Sequence, residues 1–195
     1  GCIYLYDCND RQTARQYLER AAAMDKEIEF GEQTPNALET IYQSLDLYRE
    51  LSDIYEKKCS IISIPNELKK YEIRLAQLRY EHLGETTLAI KTLKQLLNHD
   101  PDNAIALQLL AQIYIDNQNY QEADGVLQSL KEILHPSSKE MAQLVLRLIA
   151  LNLELNQKET AKQYMIDLLD NNAHIDKLAI IELYKRTCRE EDKWE

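Results

Sequence analysis

The chain is poor in residues that interrupt regular structure. Its 195 residues include four glycines and four prolines, few turn-makers for a protein of many short strands, and the shortage suits helices joined by brief polar links. Long apolar runs are missing too. No stretch approaches the roughly 18 consecutive apolar residues of a spanning helix, so no transmembrane segment is expected. Basic tracts are absent from a chain with 23 Lys and Arg against 33 Asp and Glu, a net charge of −10. Phosphate backbones are gripped by clustered cations that release counterions, which argues against nucleic acid as a partner. The cysteines, Cys2, Cys8, Cys59 and Cys188, form no CxxC pair and no His/Cys ligand spacing. Core packing in a reducing compartment is therefore expected of them, and no metal. His82, His99, His135 and His174 lie far apart, with no HExxH, no evident nucleophile–base pair and no glycine-rich phosphate loop. No catalytic residue or cofactor is nominated, and a non-enzyme is expected.

What is present is a pattern that repeats. Tyr80, Ala89, Leu93 and Leu96 recur as Tyr114, Ala123, Leu127 and Leu130, each 34 residues on, and a fixed period of this size marks stacked helical hairpins. Pro65 can open a helix over about 66–83, which Gly84 ends in a left-handed cap. A second helix runs from about Thr86 to the Asp100-Pro101 stop. Helices are then expected over Ala104–Asp116 and Tyr120–Leu134, with Asn117-Gln118-Asn119 as the turn between them. Ser137 and Glu140 form a candidate capping box for a helix through about Leu155. Further helices are expected over Glu159–Leu169 and about Ile175–Cys188.

These residues resemble the tetratricopeptide repeat. Tyr80, Gly84, Ala89 and Pro101 match its pattern, as do Ala111, Tyr114 and Ala123, with Pro136 one place late. From Ser138 to Asp170 only the second helix matches, through Ala161, Met165 and Leu168. Ala150 precedes Ala161 by 11 residues, against 12 between Ala111 and Ala123, so a turn one residue shorter is expected there. The resemblance implies an all-α right-handed superhelix of antiparallel hairpins. It also implies a concave groove lined by first helices, here Arg74, Leu78, Glu81, His82, Gln108, Gln112, Ile115, Asp116, Arg147, Leu151 and Glu154. The implied partner is another protein or peptide segment, and the implied role is that of an adaptor or scaffold. Chaperone-tail docking in this family uses paired cations, and the matching positions Arg74/Leu78, Gln108/Gln112 and Arg147/Leu151 leave that cradle incomplete.

The N-terminal third is less regular. Residues 1–64 are expected to hold a degenerate repeat, with Leu5, Ala14, Leu18 and Ala21 at the repeat spacing, followed by one long helix over 34–59. That helix would reach roughly 36 Å and would act as a cap or as a self-association element. Residues 65–172 are expected to form three repeats and 173–195 a capping helix. Two alternatives stand beside the adaptor reading: an envelope assembly factor lipidated at Cys2, read from the Gly1-Cys2 start, and a regulatory domain of a larger enzyme or transcription regulator. The cytoplasm is the expected compartment, with an envelope lipoprotein as the alternative.

Overall fold

A computed structural model of the chain describes residues 11–24, 33–135, 139–171 and 176–191. Leu5, the Gly1-Cys2 start, Cys8, Pro136, the Ser137 capping box and His174 lie outside the described residues. Within them are ten helices and no strand. They are α1 (Arg11–Met24), α2 (Gln33–Ser44), α3 (Tyr48–Ile61), α4 (Pro65–Glu81), α5 (Thr86–His99), α6 (Ala104–Asp116), α7 (Tyr120–Ile133), α8 (Lys139–Glu154), α9 (Lys158–Asn171) and α10 (Lys177–Glu191). The chain divides into two compact units, Gly1–Thr92 and Leu93–Glu195.

The expected single helix over 34–59 is instead two helices with a sharp turn between them. Asp46 takes a left-handed backbone (φ 55°), and the Leu47 amide donates to the Tyr42 carbonyl at 2.9 Å. Such a bond, reaching back five residues past a left-handed one, is how helices commonly close. The same closure recurs at Gln118, where Asn119 donates to Tyr114 at 2.8 Å, and at Asn156, where Gln157 donates to Asn152 at 2.8 Å. Gly84 (φ 67°) ends α4, with Leu83 reaching back to Leu78. Only one of these four turns uses glycine. Asp and Asn tolerate the left-handed region through local hydrogen bonding, so the break at Asp46 shows in the sequence as neither Gly nor Pro.

The turns bring the hairpins into one register. Tyr42-Asp46-Leu51, Tyr80-Gly84-Ala89, Tyr114-Gln118-Ala123 and Asn152-Asn156-Ala161 share the same four- and five-residue steps. The shorter turn expected before Ala161 is not found, because α8 and α9 are joined by three residues, as α6 and α7 are. The residue standing where Ala111 stands in its hairpin is Ile149, which is buried, while Ala150 is exposed. Matching by residue type had slid that repeat by one place.

Packing follows from the register. In the second unit Ala111, Ala123 and Ala161 are fully buried, letting paired helices approach, and Tyr114, Leu127 and Leu130 fill the space beside the α6–α7 crossing. In the first unit Leu38, Ile41, Tyr42, Leu51, Tyr55, Leu75 and Leu78 form one core. The apolar residues of 34–59, expected to line one face of a single long helix, instead pack against one another across the α2–α3 hairpin and with α4. Leu51 occupies the place taken by alanine in the other hairpins, and α2 and α3 contact each other less extensively than α6 and α7.

Candidate functional site

In the second unit, α8 and the start of α10 flank an open recess of about 330 Å³. Ala142, Gln143 and Leu146 line it from α8, and Ala179 and Ile180 from α10, with Lys139 and Asp176 at its ends. The two charged residues are not equivalent. Asp176 Oδ1 accepts hydrogen bonds from the amides of Leu178 (3.1 Å) and Ala179 (3.3 Å), capping α10. Lys139 begins α8 and makes no ion pair among the described residues. Leu146, Leu178 and Ile181 leave further apolar surface exposed on the same two helices. The result is an apolar recess with a cation that has no ion pair among the described residues, within the ordinary size range of small binding pockets.

The register decides where the expected groove residues fall. Gln108, Gln112, Ile115 and Asp116 follow one another along α6, exposed or half-buried, and Gln112 Nε2 donates to Asp116 Oδ1 at 2.7 Å. Arg147 and Glu154 are exposed on α8, but Leu151 is only 3% exposed and belongs to the core. Stepping from Tyr114 to Asn152 carries Gln108 to Leu146, Gln112 to Ala150 and Asp116 to Glu154. Leu146, one place before the expected Arg147, is therefore the α8 residue that faces the recess. Ala142, Gln143, Ala179 and Ile180 were missed altogether. Aligning Asn152-Asn156-Ala161 on the other turns would have placed the α8 residues correctly.

The first-unit members of the expected set are knit into their own surroundings. Leu78 is 7% exposed and part of the core, so it too is corrected from groove to interior. Arg74 donates from a terminal guanidinium nitrogen to Glu39 Oε1 at 2.9 Å, and Lys58 Nζ donates to Glu39 Oε2 at 2.7 Å and to the Tyr71 hydroxyl at 2.9 Å. The Tyr55 hydroxyl also donates to Glu39, at 3.1 Å. Glu39 stands three residues before Tyr42, as Ala111 does before Tyr114, so a carboxylate with three donors occupies a site where α6 has a methyl group. Burial first, then the Glu39 charge, pushes the Tyr55 hydroxyl up to about 12. A raised value favours the neutral phenol in the fold. Its stabilising contribution is complete below the ordinary tyrosine value and is lost as pH rises through about 12. His82 stacks on Tyr48 with ring centroids 3.8 Å apart and planes 8° apart, and its Nε2 lies 4.0 Å from Glu81.

Among the described residues, no group of His, Cys, Asp and Glu is placed to hold a metal, and no helix is long and apolar enough to cross a membrane. Burial raises the Cys59 thiol to about 11, with the Glu72 charge adding to it. The thiolate is the reactive form. Alkylation of Cys59 by iodoacetamide at pH 8 should therefore run on the order of 100-fold slower than for an ordinary thiol, as peptide mass mapping over time would show. Labelling at the ordinary rate would mean that the thiol is not held in this environment.

The tetratricopeptide-repeat family model matches residues 82–145, the stretch that carries the Gly84 and Gln118 turns and the Ala89 and Ala123 crossings. Residues 82–145 match the tetratricopeptide repeat. Solved structures extend the likeness in fold well beyond that stretch. YrrB, described as a tetratricopeptide protein with an unusual peptide-binding site, aligns with a TM-score of 0.60 at 14% identity, over 93% of this chain and 87% of its own. BtubC from P. vanneervenii aligns with a TM-score of 0.58 at 16% identity, over 93% and 91% of the two chains. A tetratricopeptide protein from Parabacteroides merdae aligns at 0.54 and 18% identity, over 95% and 94%. No curated protein matches the sequence. The fold class is therefore all-α, built from tetratricopeptide-type helix hairpins, an architecture suited to protein–protein interaction.

Proposed function

We propose that this chain is a non-catalytic adaptor whose second unit holds a protein segment in the recess between α8 and α10. The observation that carries the reading is the recess of about 330 Å³, lined by Ala142, Leu146, Ala179 and Ile180 and by Lys139, which makes no ion pair among the described residues. A recess of this size admits one or two apolar side chains, not a helix of roughly 10 Å diameter. The bound segment therefore contributes a large apolar residue with a carboxylate close by, for Lys139 to meet. The mixed line of Gln108, Gln112, Ile115 and Asp116 on α6 gives an extended chain side-chain and backbone partners. That YrrB, similar in fold, is described by its peptide-binding site supports the reading.

A peptide library displayed on phage, selected on the full chain, tests it. Selected peptides should share an apolar residue next to an acidic one. The exposed Ala179 can be changed to Trp without entering the core, and Ala179→Trp should weaken the best peptide at least about tenfold by filling the recess. Leu146→Arg should weaken it similarly, and Glu159→Lys on α9 should leave it unchanged. Selected peptides indifferent to Ala179→Trp and Leu146→Arg would remove the recess from the binding surface.

A further inference from the structure

The end of α3, the three-residue link and the start of α4 read Ser60-Ile61-Ile62-Ser63-Ile64-Pro65, and two of the isoleucines face outward: Ile61 is 71% exposed and Ile64 58%. Pro65 is exposed and Ile62 half-buried. Ile62 and Ile64 have extended backbones, and Pro65 opens α4, so the link is a short stiff tip joining two helix ends. Its surroundings depart from the rest of the chain in charge. Residues 57–70 contain four lysines and one glutamate, a net +3 within a chain of −10.

The positions of these charges matter. Lys58 is committed to Glu39 and Tyr71, but Lys57 and Lys70 are exposed and make no ion pair among the described residues. Lys57 lies one turn back from Ile61 along α3, about 6 Å, and Lys70 lies five residues along α4 from Pro65, about 7–8 Å. The nearby carboxylates include Glu56, which pairs with Arg79, Glu39, which holds Lys58, Glu72 near Cys59, the exposed Glu67, and Asp53 further back on α3. Apolar side chains at a tip with cations set back by 6–8 Å match the layering of a bilayer surface, where an apolar face sinks about 5–10 Å to the acyl boundary and cations meet the headgroups. A protein partner would need a pocket to receive such a tip, whereas a membrane needs none.

We propose that the α3–α4 tip docks on an anionic lipid bilayer, with Ile61 and Ile64 inserted and Lys57 and Lys70 on the headgroup phosphates. Two side chains and two cations give weak, reversible attachment, strengthened where several copies share one membrane. This site lies in the first unit and does not depend on the peptide recess.

Sedimentation of the full chain with vesicles of phosphatidylcholine, with and without about 30 mol% phosphatidylserine, tests the proposal. Binding is expected to the anionic vesicles and to be much weaker on neutral ones. Lys57→Glu with Lys70→Glu should lower partitioning at least about 25-fold, from about fivefold per lysine. Ile61→Ser with Ile64→Ser should lower it on the order of tenfold or more. All four positions are exposed, so helicity by circular dichroism should match the parent, and Ala179→Trp should bind vesicles as the parent does. No binding to anionic vesicles would overturn the proposal. Binding that survives the serine pair would reduce it to surface adsorption and overturn insertion. Equal binding to neutral vesicles would overturn the role given to the lysines.

Discussion

Glu39→Ala should destabilise the protein by about 3 kcal/mol, read as a fall in the urea midpoint of the first unit's unfolding. The side chains of Glu39 and Lys58 are only 12% and 13% exposed, and their ion pair spans 2.7 Å. Removing the carboxylate takes the Glu39 charge away from the half-buried Lys58 ammonium, which keeps the Tyr71 hydroxyl and ring. It also removes the acceptor of the Tyr55 hydroxyl. Arg74 is 54% exposed, and solvent screens its share, so little of the loss should come from there. Arg74→Ala alone should cost less than about 1 kcal/mol. The double change Glu39→Leu with Lys58→Met should recover most of the loss, because removing both charges removes the desolvation cost with the attraction. If Glu39→Ala cost under about 1 kcal/mol, the pair would be behaving as a surface contact and the described burial would be wrong.

The second large effect is a pair of opposite substitutions at equivalent places. Leu51→Ala should cost about 2–5 kcal/mol, since Leu51 is 2% exposed and fills the α2–α3 crossing. Ala123→Leu should cost about 1–3 kcal/mol, because the α6–α7 crossing has closed around a methyl group and Ala123 is fully buried. Each residue is right for its own hairpin and wrong for the other. Urea titrations of the two variants decide the matter. A tolerated Leu51→Ala would mean that α2 and α3 do not cross at residue 51, and a tolerated Ala123→Leu would mean a looser α6–α7 pair.

The parts legible in the sequence were those marked by residues with few alternatives. Asn103, whose side chain accepts from the Ala106 amide at 3.0 Å, and Asn117 after Asp116 bracket α6 as expected. Pro65, Gly84 and Pro101 mark the neighbouring ends in the same way. The turn at Asp46 was illegible because a left-handed aspartate leaves no gap in the apolar periodicity: Leu45, Tyr48 and Leu51 continue the stripe of Leu38 and Ile41. Missing that turn hid the Glu39 network as well, since Glu39 and Lys58 meet only once α2 and α3 fold back on each other. The recess was missed for a different reason. Asn152 replaces the tyrosine and Ile149 the alanine of the better repeats, so residue types pointed one place away from Leu146. Spacing from the turn, rather than residue identity, carries the register there.

The most direct measurement is a backbone amide NMR titration of the full chain with a library-selected peptide. If the recess holds the bound segment, the largest shifts should fall at Ala142, Gln143, Leu146, Ala179 and Ile180, with smaller ones along Gln108, Gln112 and Asp116, and none on the exposed faces of α7 and α9. Shifts concentrated on α7 and α9, with the α8 and α10 amides unmoved, would contradict recess binding and place the interaction on second helices instead.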